Sequence, residues 1–549
     1  MSTTQNNNGR IAVGSSSRTV IPTAMRNKPL ILTALLLAAF VINLDITIVN
    51  VALPTLVREL HASNSQLQWV VDAYSLVFAS LLLAAGSLSD RLGRKGFLVA
   101  GLAVFGLASV AGGLTSTPGQ LIVARCFMGL GAAMIFPATL SLISNVFTER
   151  GERARAIGLW GATIGAAIAL GPIVGGWLLE QFRWTSIFLA MAPVAAIGAV
   201  LVAWSVPTSR DPDANKTDGP GLVLSTAAMA LLIYTIIEAP GHGWSSARSL
   251  AGFALAAALF GTFIARERRI SEPMVDLSLF RNLRFSAASG SVTVAFFSIA
   301  GFSFLITQYF QFFKGYGPLS TGVRLLPVAV SVAIASVVGT KLAVRFGTKQ
   351  IVTGGLFCLT AFFAWVSTAS AGTSYLEIAG QMVLGGSGVG LVSAPATEAI
   401  MGVVPTAKAG VGSAVNDATR LLGSTLGVAI IGSVYASIYV SRLTAGLPSA
   451  LPAHLARAAH DSAGAALAVA GRLASTGHAS LAGNLHHAVS HAFFGGFSAG
   501  CLVAAGVALA GAITAAVLLP AQPKATSLTV VEGEADREAD PEWQGAQAA

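Results

Sequence analysis

Charged residues are scarce in this chain. They make up 10% of its 549 residues, where about 25% is usual in soluble proteins, and 54% of the residues are hydrophobic. This deficit excludes an ordinary soluble domain and predicts a polytopic membrane protein. The net charge is +9, but the cations stand in short segments between apolar runs. That pattern indicates membrane topology, not nucleic-acid binding.

Cysteine is rare, and catalytic motifs are missing. Cys126, Cys358 and Cys501 fall within apolar runs without paired spacing, which argues against a disulfide framework and a cysteine metal site. The sequence has no P-loop, no nucleophile elbow and no metal-ligand spacing within a span. We therefore expect neither an enzyme nor an ATP-driven pump, and no cofactor or metal.

Apolar runs long enough to cross a bilayer, about 20 residues each, recur about fourteen times along the chain. The runs at 220–239 and 250–265 are the weakest because they are short or interrupted. We expect an all-α polytopic membrane protein. The other runs lie at roughly 30–54, 67–88, 97–114, 120–146, 156–178, 186–206, 286–312, 320–343, 351–369, 376–402, 410–439 and 494–519.

The loops predict an orientation. The first 28 residues are polar and no short apolar region with a cleavage site follows, so we expect the first span to act as the insertion signal. If the N-terminus is cytoplasmic, about two thirds of the 33 Lys and Arg residues lie in inner segments, as the positive-inside rule requires. An even number of spans then places the acidic C-terminal tail in the cytoplasm too.

A weak internal repeat divides the chain. "DRLGRKG" at 90–96 follows the second span, and "VRFGTKQ" at 344–350 follows the tenth. Internal repeats are typical of secondary transporters, so we predict two related six-helix bundles with two inserted helices. The predicted segments are a cytoplasmic tail (1–28), a first bundle (29–206), inserted helices with linkers (207–284), a second bundle (285–520, with an outer loop at 441–492) and a cytoplasmic tail (521–549).

All eight histidines fall in predicted outer segments, six of them in the loop before the last span. This loop has the pattern of short Ala-rich helices, for example "SAGAALAVAGRLAS". His487 and His491 are spaced for one helix face, which suits a metal or a response to external pH. A solvated helical cap with scattered histidines is the simpler interpretation.

The segment "GSLSDRLGRKG" at 86–96 has the composition of a helix latch. Gly86 and Gly93 permit a tight turn and close helix approach, and Asp90 can pair with Arg91 or Arg94. Such a cluster on the inner face can hold two helices together in one conformation and release them in another. The alternative is a topology anchor, because inner loops generally carry cations.

Small residues form one face of the fifth predicted span, "GLWGATIGAAIALGPIVGGWL". Such a face allows another helix to pack closely and to slide or pivot, unless it is only a generic helix contact. Gly171 and Gly175 form a second small pair beside it. At 100° per residue, the positions that lie within about 80° of one another are Gly158, Gly161, Gly165, Ala169, Pro172 and Gly176.

Asp45 lies well inside the first apolar run, in "LDITIVNVALP". A carboxylate at the centre of a membrane helix costs about 2.5–3.5 kcal/mol on insertion scales, so it is a candidate functional group. On a helical projection it points away from Asn43, Thr47 and Asn50, so we expect its partner on another helix. Arg125, in "RCFMGLGAA", is the best candidate, although a snorkelling arginine near the interface is the alternative there.

Four more ionisable residues lie within predicted spans, namely Asp72, Glu398, Asp417 and Arg420. They are secondary candidates for proton coupling or for binding a charged substrate. Each also has a simpler explanation. Asp72 can reach the outer interface, Glu398 can stand in water at the inner mouth, and Asp417 can pair with Arg420 on one helix face.

Aromatic residues crowd the ninth span, "AFFSIAGFSFLITQYFQFFKGYG" at 295–317. Phe302 and Phe304, with Gln308 and Gln311 among them, are candidates for lining a site for flat, lipophilic or cationic ligands. Most aromatic residues of this span are expected to face lipid or to pack against other helices.

These segments together resemble the major facilitator superfamily, specifically its 14-span drug:proton antiporter branch of the EmrB/QacA type. The resemblance covers about residues 30–440. "LDITIVNVALP" resembles the first-span motif of the branch, and "GSLSDRLGRKG" resembles the loop between spans two and three. "RCFMGLGAA" resembles the span-four motif, and "GPIVGG" at 171–176 resembles the antiporter motif of span five.

The resemblance implies a fold and a mechanism. Two pseudo-symmetric six-helix bundles, with two extra helices between them, would work by alternating access as protons enter and substrate leaves. Asp45 would be the proton-coupling carboxylate, Arg125 would modulate its protonation, and the span-five glycines would favour exchange over leak. One departure is Val344, which stands where the first half has Asp90 and weakens the case for a second inner latch.

The sequence thus predicts a proton-coupled exporter of lipophilic or cationic drugs in the plasma membrane. Its expected partners are protons, a small-molecule substrate and the lipid bilayer, with no nucleic acid. A dedicated exporter of one endogenous compound, such as an antibiotic, a siderophore or a lipid, would have the same site chemistry. A membrane protein that binds lipid without proton-coupled turnover is the third alternative.

Overall fold

The computed structural model describes residues 27–209, 218–270, 273, 277–404, 409–449 and 451–520. In these ranges the chain is built from helices joined by short turns. The predicted cytoplasmic tails, 1–28 and 521–549, lie almost wholly outside the described residues.

The first six predicted spans correspond to helices α1–α7. To within one residue, each predicted run falls inside a helix or inside the α6–α7 pair, which together form one span. Helix α2 bends by 57° between Leu82 and Ala84. The helices are α1 (Lys28–Leu60), α2 (Asn64–Leu92), α3 (Arg94–Gly113), α4 (Pro118–Val146), α5 (Arg150–Gln181), α6 (Ser186–Leu189) and α7 (Met191–Ser205).

The remaining eight spans are α8, α9, α10, the α11–α12 pair, α13, α14, α15 and α18. The two weakest predicted spans, α8 and α9, are full membrane-length helices. Their bounds and those of the next four helices are α8 (Gly219–His242), α9 (Ala247–Glu267), α10 (Leu283–Gln308), α11 (Pro318–Arg324), α12 (Leu326–Phe346) and α13 (Thr348–Val366). The last five are α14 (Tyr375–Met401), α15 (Ala409–Gly446), α16 (Ala453–Asp461), α17 (Ala463–Ser475) and α18 (Ala479–Leu518).

By length and apolar composition, thirteen helices or pairs in the described chain can cross a membrane, and α2 makes fourteen when its two arms count as one span. The predicted number is therefore confirmed. Two lengths differ from expectation. Helix α1 continues past Pro54 to Leu60, and α18 begins at Ala479, well before the predicted run at 494.

Local chemistry fixes where helices begin and turn. The Ser63 hydroxyl oxygen accepts a hydrogen bond from the Gln66 amide, and the Ser63 amide donates one to Gln66 Oε1. These two bonds form a capping box that starts α2. Gly93 between α2 and α3 has φ of +111°, and Gly347 between α12 and α13 has φ of +94°. A residue with a side chain is strained at such positive φ values, whereas glycine is not. The turns at 90–96 and 344–350 thus share a positive-φ glycine, which agrees with the predicted repeat.

The helices form two six-span bundles, α1–α7 and α10–α18, with the α8–α9 hairpin against α2 and α15 at their seam. We call the end that carries 90–94 and 345–349 the basic end, and the opposite end, with 441–492, the histidine end. Two hydrogen bonds between the bundles lie towards the histidine end. Gln311 Nε2 donates to the Val51 carbonyl at 2.8 Å, and the Leu319 amide donates to Glu180 Oε1 at 3.0 Å.

The loop at 441–492 is a helical cap, as predicted. "SAGAALAVAGRLAS" contains α17, which packs on α18 and on the end of α1. Gly464 of α17 lies against Val57 and Phe312, one from each bundle, and Tyr439 donates to the Ala459 carbonyl at 2.9 Å. The cap therefore covers the closed histidine end of the seam.

Candidate functional site

Asp45 and Arg125 form a buried ion pair. Arg125 Nη1 donates a short hydrogen bond to Asp45 Oδ2. The Asp45 side chain is 0% exposed and that of Arg125 is 1% exposed. The predicted pairing of α1 with α4 through these residues is therefore present, and snorkelling does not describe Arg125 because its side chain is enclosed by protein.

Helix α2 holds Arg125 in place. Arg125 Nε donates to the Val70 carbonyl at 2.9 Å, and its guanidinium lies 4.3 Å from the ring centroid of Tyr74. Tyr74 in turn donates to the Ile42 carbonyl of α1 at 3.0 Å. This contact set orients the cation towards Asp45. Val70 and Tyr74 were not among the predicted site residues; their spacing of four residues on one face of α2 is the only signal they leave.

Glycine allows α2 and α4 to approach closely enough for this arrangement. A Cβ atom built on Gly129 would lie 2.5 Å from the carbonyl oxygen of Tyr74. That separation is far inside van der Waals contact, so the Gly129 of "RCFMGLGAA" is required for the distance between the two helices.

One oxygen of the Asp45 carboxyl group has no partner. Asp45 Oδ1 is buried and accepts no hydrogen bond from any described residue. Asn43, Thr47 and Asn50 each donate back to carbonyls of their own helix, which confirms that these sequence neighbours are not partners of Asp45. An unsatisfied buried acceptor generally costs about 1–3 kcal/mol, so this oxygen is a place where a proton or a ligand donor can bind.

Asp45 lies near the middle of α1, which continues beyond the predicted run at 30–54. Since α1 ends at Leu60, Asp45 stands about 25 Å from Lys28 and about 22 Å from Leu60 along the axis, at 1.5 Å per residue. The carboxyl group therefore sits near the middle of its helix.

The small-residue face of α5 is packed at one end only. Atoms added at Gly171 and Gly175 would meet Thr47 and Ile48 of α1, and one added at Gly176 would meet Leu319 of α11. On the partner helix, Gly322 faces the Pro172 carbonyl. This half of α5 thus joins α1 and the second bundle at close range, as predicted for Gly171, Pro172, Gly175 and Gly176.

The other half of that face is open. A Cβ atom on Gly158, Gly161 or Gly165 would meet no atom within 4 Å. In this conformation these three glycines therefore face open space, on the same side of α5 as Pro172 and Gly176 and nearer the basic end.

In the latch segment at 86–96, Asp90 and Arg94 bond to each other and to residues close by. Asp90 Oδ1 accepts from Arg94 Nε at 2.6 Å and from the Ser141 hydroxyl at 3.3 Å. The Arg94 amide donates to the Ser209 carbonyl at 3.0 Å. Ser141 belongs to the first bundle and Ser209 to the segment that follows α7, so these contacts of the Asp90–Arg94 pair do not hold the two bundles together here.

The other latch residues, Gly86, Arg91 and Gly93, have different surroundings and backbone conformations. Gly93 supplies the left-handed turn. Gly86 was expected to permit close approach, but a Cβ atom there would stand 3.7 Å from Pro137 Cβ, an ordinary contact, so that expectation is wrong. Arg91 forms none of the ion pairs between described residues.

The secondary acids occupy different environments. Asp72 is fully buried, and neither carboxyl oxygen has a partner among the described residues, so it does not reach the surface. Glu398 is exposed near the basic end of α14, as its simpler explanation required. Asp417 lies 3.9 Å from Arg420, and Arg420 also donates to the Thr397 hydroxyl at 3.0 Å.

The aromatic candidates are buried and do not form one wall. Phe302 meets Phe362 edge-on with centroids 5.0 Å apart and borders a small apolar cavity within the second bundle. Phe304 is fully buried. Gln308 donates to the Phe304 carbonyl of its own helix, whereas Gln311 crosses to α1. Residues Tyr309–Phe313 form a turn of π-helix, which aims Gln311 at the other bundle.

Known proteins with similar sequences are resistance and efflux proteins. The model of the Major Facilitator Superfamily matches residues 35–428. The multidrug resistance protein Stp of Mycobacterium tuberculosis is 37% identical over 409 residues, 74% of this chain and 76% of Stp. The multidrug efflux pump LfrA of Mycolicibacterium smegmatis is 35% identical over 74% of this chain and 80% of LfrA. The methylenomycin A resistance protein of Streptomyces coelicolor is 34% identical over 73% of this chain and 85% of that protein.

Solved structures share the fold at low sequence identity. The crystal structure of a bacterial homolog of the human lysosomal transporter Spinster, in its inward-facing and occupied conformation, aligns with a TM-score of 0.64 at 15% identity. It covers 90% of this chain and 98% of that one. The match in sequence family, the two six-span bundles and the inserted hairpin lead to one conclusion: this chain is a multi-pass membrane transporter of the Major Facilitator Superfamily.

Proposed function

We propose that this chain exports lipophilic or cationic small molecules in exchange for protons, with both termini in the cytoplasm. The single observation that carries the proposal is the buried Asp45–Arg125 pair with its unpartnered Asp45 oxygen. The names of Stp and LfrA, a multidrug resistance protein and a multidrug efflux pump, support the substrate class.

The chemistry of the pair suits competition between a proton and a substrate. Ionised Asp45 is held by Arg125, and its second oxygen remains able to accept a donor. Protonation neutralises the carboxyl group and weakens its attraction to Arg125, which frees the α1–α4 contact to rearrange. A cationic substrate and a proton would therefore favour different states of the same group, as exchange requires.

The packing supports alternating access. The histidine end is closed by α5 on α11 and by the cap, whereas Gly158, Gly161 and Gly165 face a gap at the basic end. If the basic end is cytoplasmic, as the positive-inside rule favours, this conformation is open to the cytoplasm. The open glycine face of α5 is then the surface that would close against the second bundle when the transporter turns outward.

Everted vesicles with an imposed pH gradient test this proposal. Acidifying the vesicle interior should drive accumulation of dyes and quaternary ammonium compounds, and each substrate should dissipate the gradient. Accumulation that does not respond to the gradient would contradict proton coupling. A response to none of the lipophilic cations would contradict the substrate class.

A dedicated exporter of one endogenous compound is the second candidate. The observation that favours it is similarity to a resistance protein for a single antibiotic, methylenomycin A. The same panel separates the two functions, because a dedicated exporter should respond to one compound class and ignore the dyes.

Substitutions of Gly161 in α5 and of Gly322 in α11, which lies against the other end of the α5 face, should have opposite effects on conformation. Gly322→Leu should disfavour the present state, because the new side chain would collide with the Pro172 carbonyl. Gly161→Leu has room in this state but should obstruct closure of the basic end. Electron-resonance distances between labels at Leu92 and Phe346, and between labels at Leu114 and Leu376, report the two ends.

In a cysteine-free background, Gly322→Leu should lengthen the Leu114–Leu376 distance and shorten the Leu92–Phe346 distance. Gly161→Leu should keep wild-type distances and lose their response to substrate. Identical distance distributions in both variants would show that α5 is not the moving interface.

A further inference from the structure

We infer that the histidine end carries a binding site for the phosphate group of an anionic membrane lipid. The site is a groove of about 450 Å³ between α15, α18 and the turn that precedes α14. Arg442 of α15 and His487 and His491 of α18 line it, together with Ser370 and Ser490. No carboxylate belongs to this lining as the structure describes it.

The guanidinium of Arg442 is available for a ligand. None of the ion pairs between described residues includes it. It lies beside Gly495, where a Cβ atom would come within 2.5 Å of Arg442 Cζ. The glycine therefore leaves space for the cation beside α18. An arginine fork with imidazole and hydroxyl donors around it matches the oxygens of a phosphate group.

The position along α18 places this groove at the level of lipid headgroups. From His491 to the end of the helix at Leu518, the rise of 1.5 Å per residue gives about 40 Å. A bilayer with its headgroup regions is about 40–45 Å thick. When the basic end of α18 reaches one surface, His491 and Arg442 therefore reach the headgroups of the other.

The same face of α18 continues into exposed apolar residues. At 100° per residue, His487, His491, Leu502 and Leu509 lie within about 60° of one another. Leu502 is 55% exposed and Leu509 is 40% exposed, and they lie in the part of the helix that crosses the bilayer. A headgroup in the groove would thus have its acyl chains along this apolar stripe. A free phosphate ion would use only the groove, so the geometry favours a lipid.

Lipid binding to the purified full chain tests the site. Native mass spectrometry should show that phosphatidylglycerol binds and that diacylglycerol with the same acyl chains, which lacks the phosphate, binds at least about tenfold more weakly. Arg442→Gln combined with His491→Gln should weaken phosphatidylglycerol binding by at least about tenfold. Arg472→Gln, which removes an exposed cation of α17 outside the groove, should leave the affinity within about twofold.

Gly495→Ala provides a second variant that keeps every charged group. The added methyl group should move Arg442 and lower the affinity for phosphatidylglycerol while the melting temperature and substrate efflux stay at wild-type values. Equal affinity in the wild type and both groove variants would overturn the proposal. Binding of soluble glycerol phosphate as tight as that of the lipid would overturn it too, because the site would then be one for a free phosphate.

Discussion

Replacing Asp45 by Asn should abolish accumulation driven by a pH gradient while the protein still folds and binds substrate. The amide keeps the size of the side chain and can accept from Arg125, but it cannot release or bind a proton in the operating range. For each proton exchanged per cycle, a gradient of two pH units supplies about 2.7 kcal/mol, or about 100-fold in the substrate concentration ratio. Asp45→Asn should lose that factor in everted vesicles.

The matched control is Asp461→Asn, the same chemical change in the cap at the histidine end. It should retain the full accumulation ratio, because Asp461 lies outside the membrane-spanning helices. Substrate binding, measured by fluorescence quenching in detergent, should be similar in both variants and in the wild type. Undiminished gradient-driven accumulation by Asp45→Asn would remove Asp45 from the coupling mechanism.

The membrane architecture was predictable because the bilayer imposes it. Backbone groups in lipid must bond within a helix, so each apolar run of sufficient length became a helix, including the two weak runs that are α8 and α9. The single glycines at 93 and 347 also left a readable signal, since a tight turn between two long helices requires a residue that tolerates positive φ. Helix ends were less predictable, as α1 shows by continuing through Pro54.

The pairing of Asp45 with Arg125 was predictable because a buried charge needs an opposite one and few candidates exist in the spans. The contacts that position Arg125 were not predictable. They use the Val70 carbonyl and the face of Tyr74, and neither a backbone carbonyl nor an aromatic face is marked by residue type alone. They depend on how α2 and α4 cross, which is set by tertiary packing at Gly129.

The sequence also gives no information about which conformation is populated. The eight small residues of α5 form two neighbouring stripes in projection, yet Gly171 and Gly176 are packed while Gly161 and Gly165 face a gap. A transporter that alternates must encode both closures in one helix. The two stripes of small residues therefore contain the packing surfaces of both states, and each state uses part of them.

Replacing Arg125 by Gln should destabilise the protein far more than replacing both members of the pair. The single change leaves the Asp45 carboxylate buried without its cation, and removing one partner of a buried pair typically costs about 3–5 kcal/mol. It also removes the donor to the Val70 carbonyl and the cation on the Tyr74 ring. Asp45→Asn combined with Arg125→Gln removes both charges, so it should recover most of the lost stability.

Thermal unfolding of the four proteins in one detergent at neutral pH measures this difference. We expect the melting temperature to fall most for Arg125→Gln, to fall less for Asp45→Asn, whose amide oxygen still accepts from Arg125, and to rise again in the double variant. Efflux should be absent in all three variants, because none retains both a titratable group at 45 and its cation. If the double variant is as unstable as Arg125→Gln alone, the contacts of Arg125 with Val70 and Tyr74, and not its charge opposite Asp45, hold α1, α2 and α4 together.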